Sequence, residues 1–194
     1  MDRQNIPRNP ILIIIRGIPG GGKSYLASAL AQKLGAENIV SLDPDQIDQK
    51  SKAYTEHSQA LSQEGVDEKF HLYRFSRQQA YNAVPDKKII IWNQGFMDFN
   101  GLSLTIKRIE DVAAEHDLTL KTLVVEVEID PETAKSRITS RVQQGGHNVP
   151  DDALARFVGQ YQSFAGNGYP TVTVNGTDDI EQSVQKVLDS LASL

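Results

Sequence analysis

Ile11-Leu12-Ile13-Ile14-Ile15-Arg16-Gly17-Ile18-Pro19-Gly20-Gly21-Gly22-Lys23-Ser24 is the stretch whose reading decides the fold. Five consecutive apolar residues, mostly β-branched, read as a central parallel strand covered on both faces. A glycine-rich turn follows, and then the start of a helix. Gly17, Gly22, Lys23 and Ser24 occupy the fixed positions of G-x-x-x-x-G-K-[ST] without a mismatch. Successive backbone N–H groups in such a turn curl around a nucleotide's β-phosphate, and the helix N-terminus aims its unpaired amides and positive dipole end at the same oxygens. The nucleotide-binding residues expected from this are Gly17, Pro19, Gly20, Gly21, Gly22, Lys23, Ser24 and Tyr25. Lys23 supplies a point charge to the β- and γ-phosphates, and the Ser24 hydroxyl is placed to ligate magnesium.

Working outward, the 194 residues suit one α/β domain, 1–194, with a loose lead-in over 1–10. Twenty basic and 25 acidic residues leave a formal charge of −5, without the basic footprint that extended nucleic-acid binding needs. There is no cysteine, which excludes disulfides and thiolate metal sites. The apolar runs are too short to span a membrane and the polar start lacks a signal peptide's apolar core. A cytoplasmic enzyme is expected.

After the turn, Tyr25, Leu26, Ala29, Leu30 and Leu34 recur at helical spacing, and Gly35 stops the helix. Ile39 to Leu42 is a second strand ending in Asp43-Pro44-Asp45. Residues 51–65 are polar and carry no assignable pattern. Val66 to Val84 reads as an amphipathic helix with Phe70, Tyr73, Ala80, Tyr81 and Val84 inward and Arg74 and Arg77 nearly one turn apart. Lys88 to Trp92 is a third strand, with Trp92 a core residue. Ser103 to His116 is a helix with Leu104, Ile106, Ile109 and Ala113 as its buried stripe, and Thr122 to Ile129 is a fourth strand. Asp130-Pro131 caps a helix carrying Arg137 and Arg141 on one face. Asp151 caps the next helix, Thr171 to Val174 is the fifth strand, and a final helix covers about 179–193. Strands alternating with helices predict a parallel sheet with helices on both faces, and right-handed crossovers bring every strand-to-helix loop to one edge.

At that edge several groups can act on a phosphate. Asp43 or Asp45 can take the proton of an attacking hydroxyl, while the other reaches magnesium; the same Asp-Pro-Asp also serves as a helix N-cap. Arg137 and Arg141 can neutralise charge on a transferring phosphoryl group, or form a solvated helix face. Asn93 and Gln94 follow the third strand where an acid often stands, and as neutral groups can only orient or ligate. Arg74, Arg77 and Arg156 are candidate substrate contacts, as are Asp43, Asn93 and Gln94. His147 beside Gly146 is a candidate phosphate contact that can equally be idle. Asn175-Gly176-Thr177, with Arg141, borders the base pocket.

Three segments together resemble the kinase branch of phosphate-loop proteins, more narrowly zeta-toxin-like kinases and their polynucleotide-kinase relatives. They are Gly17 to Ser24, Leu42-Asp43-Pro44-Asp45, and Arg137 to Arg141 with Gly145 to Pro150 and Arg156-Phe157. The resemblance implies a three-layer P-loop NTPase fold, a five-stranded sheet in the order 2-3-1-4-5 and an arginine-bearing lid over about 137–156. It also implies Asp45 as general base. Two positions depart from the pattern. Gln94-Gly95-Phe96 stands where zeta-toxin-like kinases carry Glu-Gly-Thr, and Asp48 stands where polynucleotide kinases carry an arginine. The implied activity is ATP- and magnesium-dependent transfer of a γ-phosphoryl group to a hydroxyl of a small, nucleotide-sugar-like acceptor. A polynucleotide 5′-hydroxyl kinase and a nucleotide-binding regulator with weak turnover are the alternatives. An inhibitory protein partner is implied by the resemblance alone.

Overall fold

The computed structural model describes residues 9–194. The lead-in expected over 1–10 therefore lies largely outside the described residues. Within them, the Asn9 side chain accepts from the Thr119 amide at 3.3 Å, and the Pro10 carbonyl from Lys121 N at 3.0 Å. Five parallel strands form the sheet: β1 (Ile11–Arg16), β2 (Ile39–Leu42), β3 (Ile89–Asn93), β4 (Lys121–Glu128) and β5 (Thr171–Asn175), in the order β2-β3-β1-β4-β5. The expected strand order holds. Around them run α1 (Lys23–Leu34), α2 (Lys52–Gln63), α3 (His71–Ala83), α4 (Phe99–Glu115), α5 (Pro131–Gln143), α6 (Asp151–Gln160) and α7 (Ile180–Ala192).

Alternation along β1 builds the layers. Leu12 and Ile14 face α3 and α4 with Trp92 and Val124, while Ile13 and Ile15 face α1 and α7 with Leu123 and Val125. All four β1 side chains are fully buried, and each contributes about 1.5–3 kcal/mol relative to exposure. Because every strand is parallel, the residues after β1, β2, β3 and β4 gather along the carboxyl edge.

The helices differ from expectation where composition hides their packing. Residues 51–65 contain α2, capped by the Ser51 hydroxyl accepting from Tyr54 N at 3.3 Å. Its stripe is only Tyr54 and Leu61, too sparse to register as a period. Buried His71 ties α2 to α3, with Nδ1 accepting from Ser58 Oγ at 2.8 Å and Nε2 donating to the Val66 carbonyl at 2.9 Å. Phe70 and Tyr73 are not inward as expected: both are largely exposed, and His71, Ser76, Ala80 and Ala83 form the buried face of α3. Leu104 is likewise exposed, because α4 starts at Phe99 and turns Leu102 to the core instead. Asp151 does not cap α6. Pro150 holds the cap position, and Asp151 pairs with Lys135 of α5 at 2.7 Å.

Candidate functional site

The turn after β1 is held by contacts that leave no room for side chains. Gly17 has φ +148° and a Cβ there would stand 2.5 Å from the Val127 carbonyl oxygen; Gly20 has φ +82° and meets the Ala134 carbonyl at the same distance. The loop is thus wedged between the end of β4 and the first turn of α5, in backbone angles that glycine adopts at little cost. Gly22 precedes α1 in a left-handed conformation and no side chain caps the helix. Its first-turn amides, from Lys23 through Tyr25, therefore lack intrahelical acceptors and face the loop. Tyr25 itself extends into solvent.

Lys23 Nζ folds back onto the Ile18 carbonyl at 3.0 Å. Burial lowers its pKa to about 8, the charges of Asp43 and Asp45 oppose that shift, and Arg141 adds to it. Four of the expected site residues therefore share one electrostatic neighbourhood.

The neutral residue that ends β3 joins the loop to the acid after β2. Asn93 Nδ2 donates to Ser24 Oγ at 2.9 Å and to Asp43 Oδ2 at 2.6 Å, and Ser24 Oγ lies 3.5 Å from that same oxygen. Asp43 also accepts from the Asp45 amide at 3.1 Å and from Gln46 Nε2 at 2.9 Å, so it is both N-cap and site residue. Burial raises the Asp43 carboxyl above the ordinary range, against the lowering pull of these hydrogen bonds. Asn93 is buried and its Oδ1 has no partner among the described residues, an orphan that a ligand would satisfy. Ser24 and Asp43 bring two hard oxygen donors together, and Asn93 orients both through its amide nitrogen. That suits magnesium, which keeps waters and substrate phosphates in its shell; no cluster of three or more acids or histidines exists among the described residues to hold a metal alone. The Asp45 carboxylate is exposed and accepts no hydrogen bond among the described residues.

From the other side, Arg137 Nη1 donates to the Gly176 carbonyl at 2.9 Å and lies 3.6 Å from where a Gly22 Cβ would stand. Arg141 Nε donates to the His147 carbonyl at 3.0 Å, so His147 takes part through its backbone. Asn175 ends β5, and its Oδ1 accepts from Thr177 N at 2.9 Å, shaping the turn beside Arg137.

Other expected contacts do not converge here. Gln94 accepts from the Trp92 indole at 3.0 Å. Arg156 faces solvent and pairs with Asp152 on its own helix at 3.7 Å. Arg77 is half-buried beside Arg108 of α4, where burial and that neighbouring guanidinium lower its pKa, and Arg74 is exposed on the same helix.

One polar pair escaped sequence reasoning. Arg16, the last residue of β1, is fully buried against Glu126 of β4. Its Nε and Nη2 donate to the Phe96 carbonyl at 3.2 and 3.1 Å, and Nη1 to Gln162 O at 2.8 Å, while Tyr161 stacks 4.6 Å from the guanidinium carbon. Glu126 also accepts from Phe164 N at 2.7 Å and Ser163 Oγ at 2.6 Å. The pair therefore fastens the residue before the phosphate loop to the loop after β3 and to the segment leaving α6. Glu126→Ala is expected to lower unfolding free energy by about 3–5 kcal/mol by stranding a buried cation. A calorimetric melt should fall by about 10 °C; a shift under about 2 °C would mean that water reaches the guanidinium.

With this geometry in place, comparison with known proteins identifies the lineage. A family model described as an AAA domain (AAA_33) matches residues 12–164. The chain belongs to this AAA domain family. No curated protein sequence matches it. The AAA domain superposes on solved structures across nearly its whole length. A gluconokinase from Sinorhizobium meliloti 1021 gives a TM-score of 0.58 at 15% identity, covering 96% of this chain and 94% of that one. A deoxyadenosine kinase from M. mycoides with bound dATP gives 0.55 at 17%, covering 93% and 98%. Kti12 from Chaetomium thermophilum, in complex with ADP-AlF3, gives 0.55 at 17%, covering 92% and 98%. These likenesses establish the three-layer P-loop kinase-like fold of the AAA domain. Among its described residues, no helix is long and apolar enough to cross a membrane.

Proposed function

We infer that this AAA domain is an ATP- and magnesium-dependent kinase that phosphorylates a hydroxyl of a small molecule. The observation that carries this reading is the hydrogen-bonded junction of Ser24, Asn93 and Asp43 beside Lys23 and the uncapped start of α1. It supports the reading by gathering the uncapped helix start, the Ser24 hydroxyl and the Asp43 carboxylate on one sheet edge. Kinase neighbours of the same fold support the choice of phosphoryl transfer.

Lys23 and the amides from Gly20 to Tyr25 hold the β- and γ-phosphates, and Asn175 with the adjoining turn borders the base. Ser24 and Asp43 would hold magnesium, oriented by the Asn93 amide, and the ion neutralises charge on the β- and γ-oxygens when bound. Asp45 takes the proton of the acceptor hydroxyl. The hydroxyl oxygen then forms its bond to the γ-phosphorus as the bond to the bridging oxygen breaks, and ADP leaves. Arg137 and Arg141 neutralise the transferring group from the lid and help exclude water.

A transfer screen with γ-labelled ATP and magnesium over small hydroxyl compounds tests this. Label should move to an acceptor, and Asp45→Asn should lower the rate by about 10²–10⁴-fold while nucleotide still binds. Nucleotide binding without label transfer to any acceptor would instead favour a regulatory nucleotide-binding protein.

A further inference from the structure

The kinase reading leaves the acceptor unspecified, and the edge of the sheet narrows it. A cavity of about 370 Å³ opens between β2, the turn after it and α3. Asp43 lines this cavity and also borders the start of α1, its carboxylate lying 3.5 Å from Ser24 Oγ. A molecule seated there places a hydroxyl next to the phosphates. The volume falls at the small end of ligand pockets, enough for a monosaccharide-sized molecule.

The lining is selective in its chemistry. Gln46, Ser51 and Gln79 offer amides and a hydroxyl, and Phe75 offers an aromatic face for the apolar side of a ring. Among the described residues no lysine, arginine or histidine lines the cavity, whereas two aspartates, Asp43 and Asp48, do. Asp43 has Lys23 as a counter-charge, so an acceptor bearing a phosphate or carboxylate would meet like charge at Asp48, which costs affinity as well as orientation. Asp43 is already engaged by Asn93 and Gln46. Asp48 is the carboxylate left for a ligand: one of its oxygens accepts from Lys50 N at 2.9 Å and the group is otherwise exposed.

Resting on the kinase reading, we propose that the acceptor is a small polyhydroxyl molecule carrying a protonated amine, and that Asp48 selects it. The Gln46, Ser51 and Gln79 side chains bind its hydroxyls, Phe75 covers its ring, and Asp48 pairs with the ammonium at the far end from the reacting hydroxyl.

The test compares matched sets built on several skeletons (a hexose, a pentose and an inositol), each as the amine, the neutral parent and the acid. With magnesium-ATP and the full chain, kcat/KM for the amine should exceed that for the acid by about tenfold or more, the scale of one partly screened charge contact at each end. Asp48→Asn keeps the turn and should bring the amine-to-acid ratio close to one, and Asp48→Lys should invert it. An acid phosphorylated as well as its amine, or a ratio unmoved in Asp48→Asn, overturns the assignment. If no compound in these sets is phosphorylated, the broad acceptor screen decides the kinase reading and binding decides the pocket separately. Saturation-transfer NMR with the same amines and acids should then show amines bound by the native chain and lost in Asp48→Asn; no amine binding, or equal binding of the acids, overturns it.

Discussion

Lys23→Ala lowers phosphoryl-transfer turnover by about 10²–10³-fold and weakens nucleotide binding by about 10- to 100-fold, the scale of a lost hydrogen bond to a charged group. The side chain is partly buried beside the loop and its Nζ donates to the Ile18 carbonyl. Phosphate oxygens replace that carbonyl and restore a full charge to the amine. Because burial lowers the free-state pKa to about 8 and bound phosphate raises it, affinity has a predictable pH dependence. Below about pH 8 the ammonium is already present and affinity is level. Above it the free protein must take up a proton to bind, so affinity falls by up to about tenfold per pH unit until the bound-state pKa is reached. Calorimetric titration with a non-hydrolysable ATP analogue from about pH 7 to about pH 10 reads this slope. Lys23→Ala should flatten it; an unchanged slope in the variant would assign the titration to another group.

Arg141→Ala should lower kcat by about 10³-fold or more while nucleotide affinity changes by less than about tenfold. The arginine is exposed, and it reaches the loop electrostatically without a hydrogen bond to it: its charge acts on Lys23, while its Nε is held by the His147 carbonyl. Gly146 packs against it so closely that a Cβ would stand 2.5 Å from Arg141 Cγ. A guanidinium presented this way contributes most when charge has spread over the transferring oxygens, which is a transition-state effect rather than a binding effect. Arg141→Lys keeps the charge but loses the planar fork and should recover only a small part of the rate. Pre-steady-state measurement of a single turnover separates the two effects. Equal small losses from Arg141→Ala and Lys23→Ala would sink the lid role.

The donor side was legible in the chain because its signals are local. A run of buried aliphatic residues, a fixed glycine spacing and an Asp-Pro-Asp turn each carry their structural meaning within a few residues. Parallel topology then places Asp43 and Asn93 beside Ser24, since strands of one direction bring their ends to one edge. What was not legible depends on which face meets which neighbour. Helix α2 has only two buried residues, so its period is invisible until α3 packs on it. Phe70, Tyr73 and Leu104 are apolar yet exposed, because each helix starts at a different residue from the one its composition suggests.

Arg16 and Glu126 show the division most clearly. In sequence, one follows a strand and the other alternates with valines, 110 residues apart. Only the β1–β4 register sets them opposite each other, and only the loops carrying Phe96 and Gln162 remove them from water. Likewise the stretch from Ile11 to Ser24 by itself determined a strand, a glycine turn and a helix start. Which carboxylates and arginines stand near that turn was decided by tertiary structure. Electrostatics and desolvation act through space, whereas backbone propensity acts along the chain.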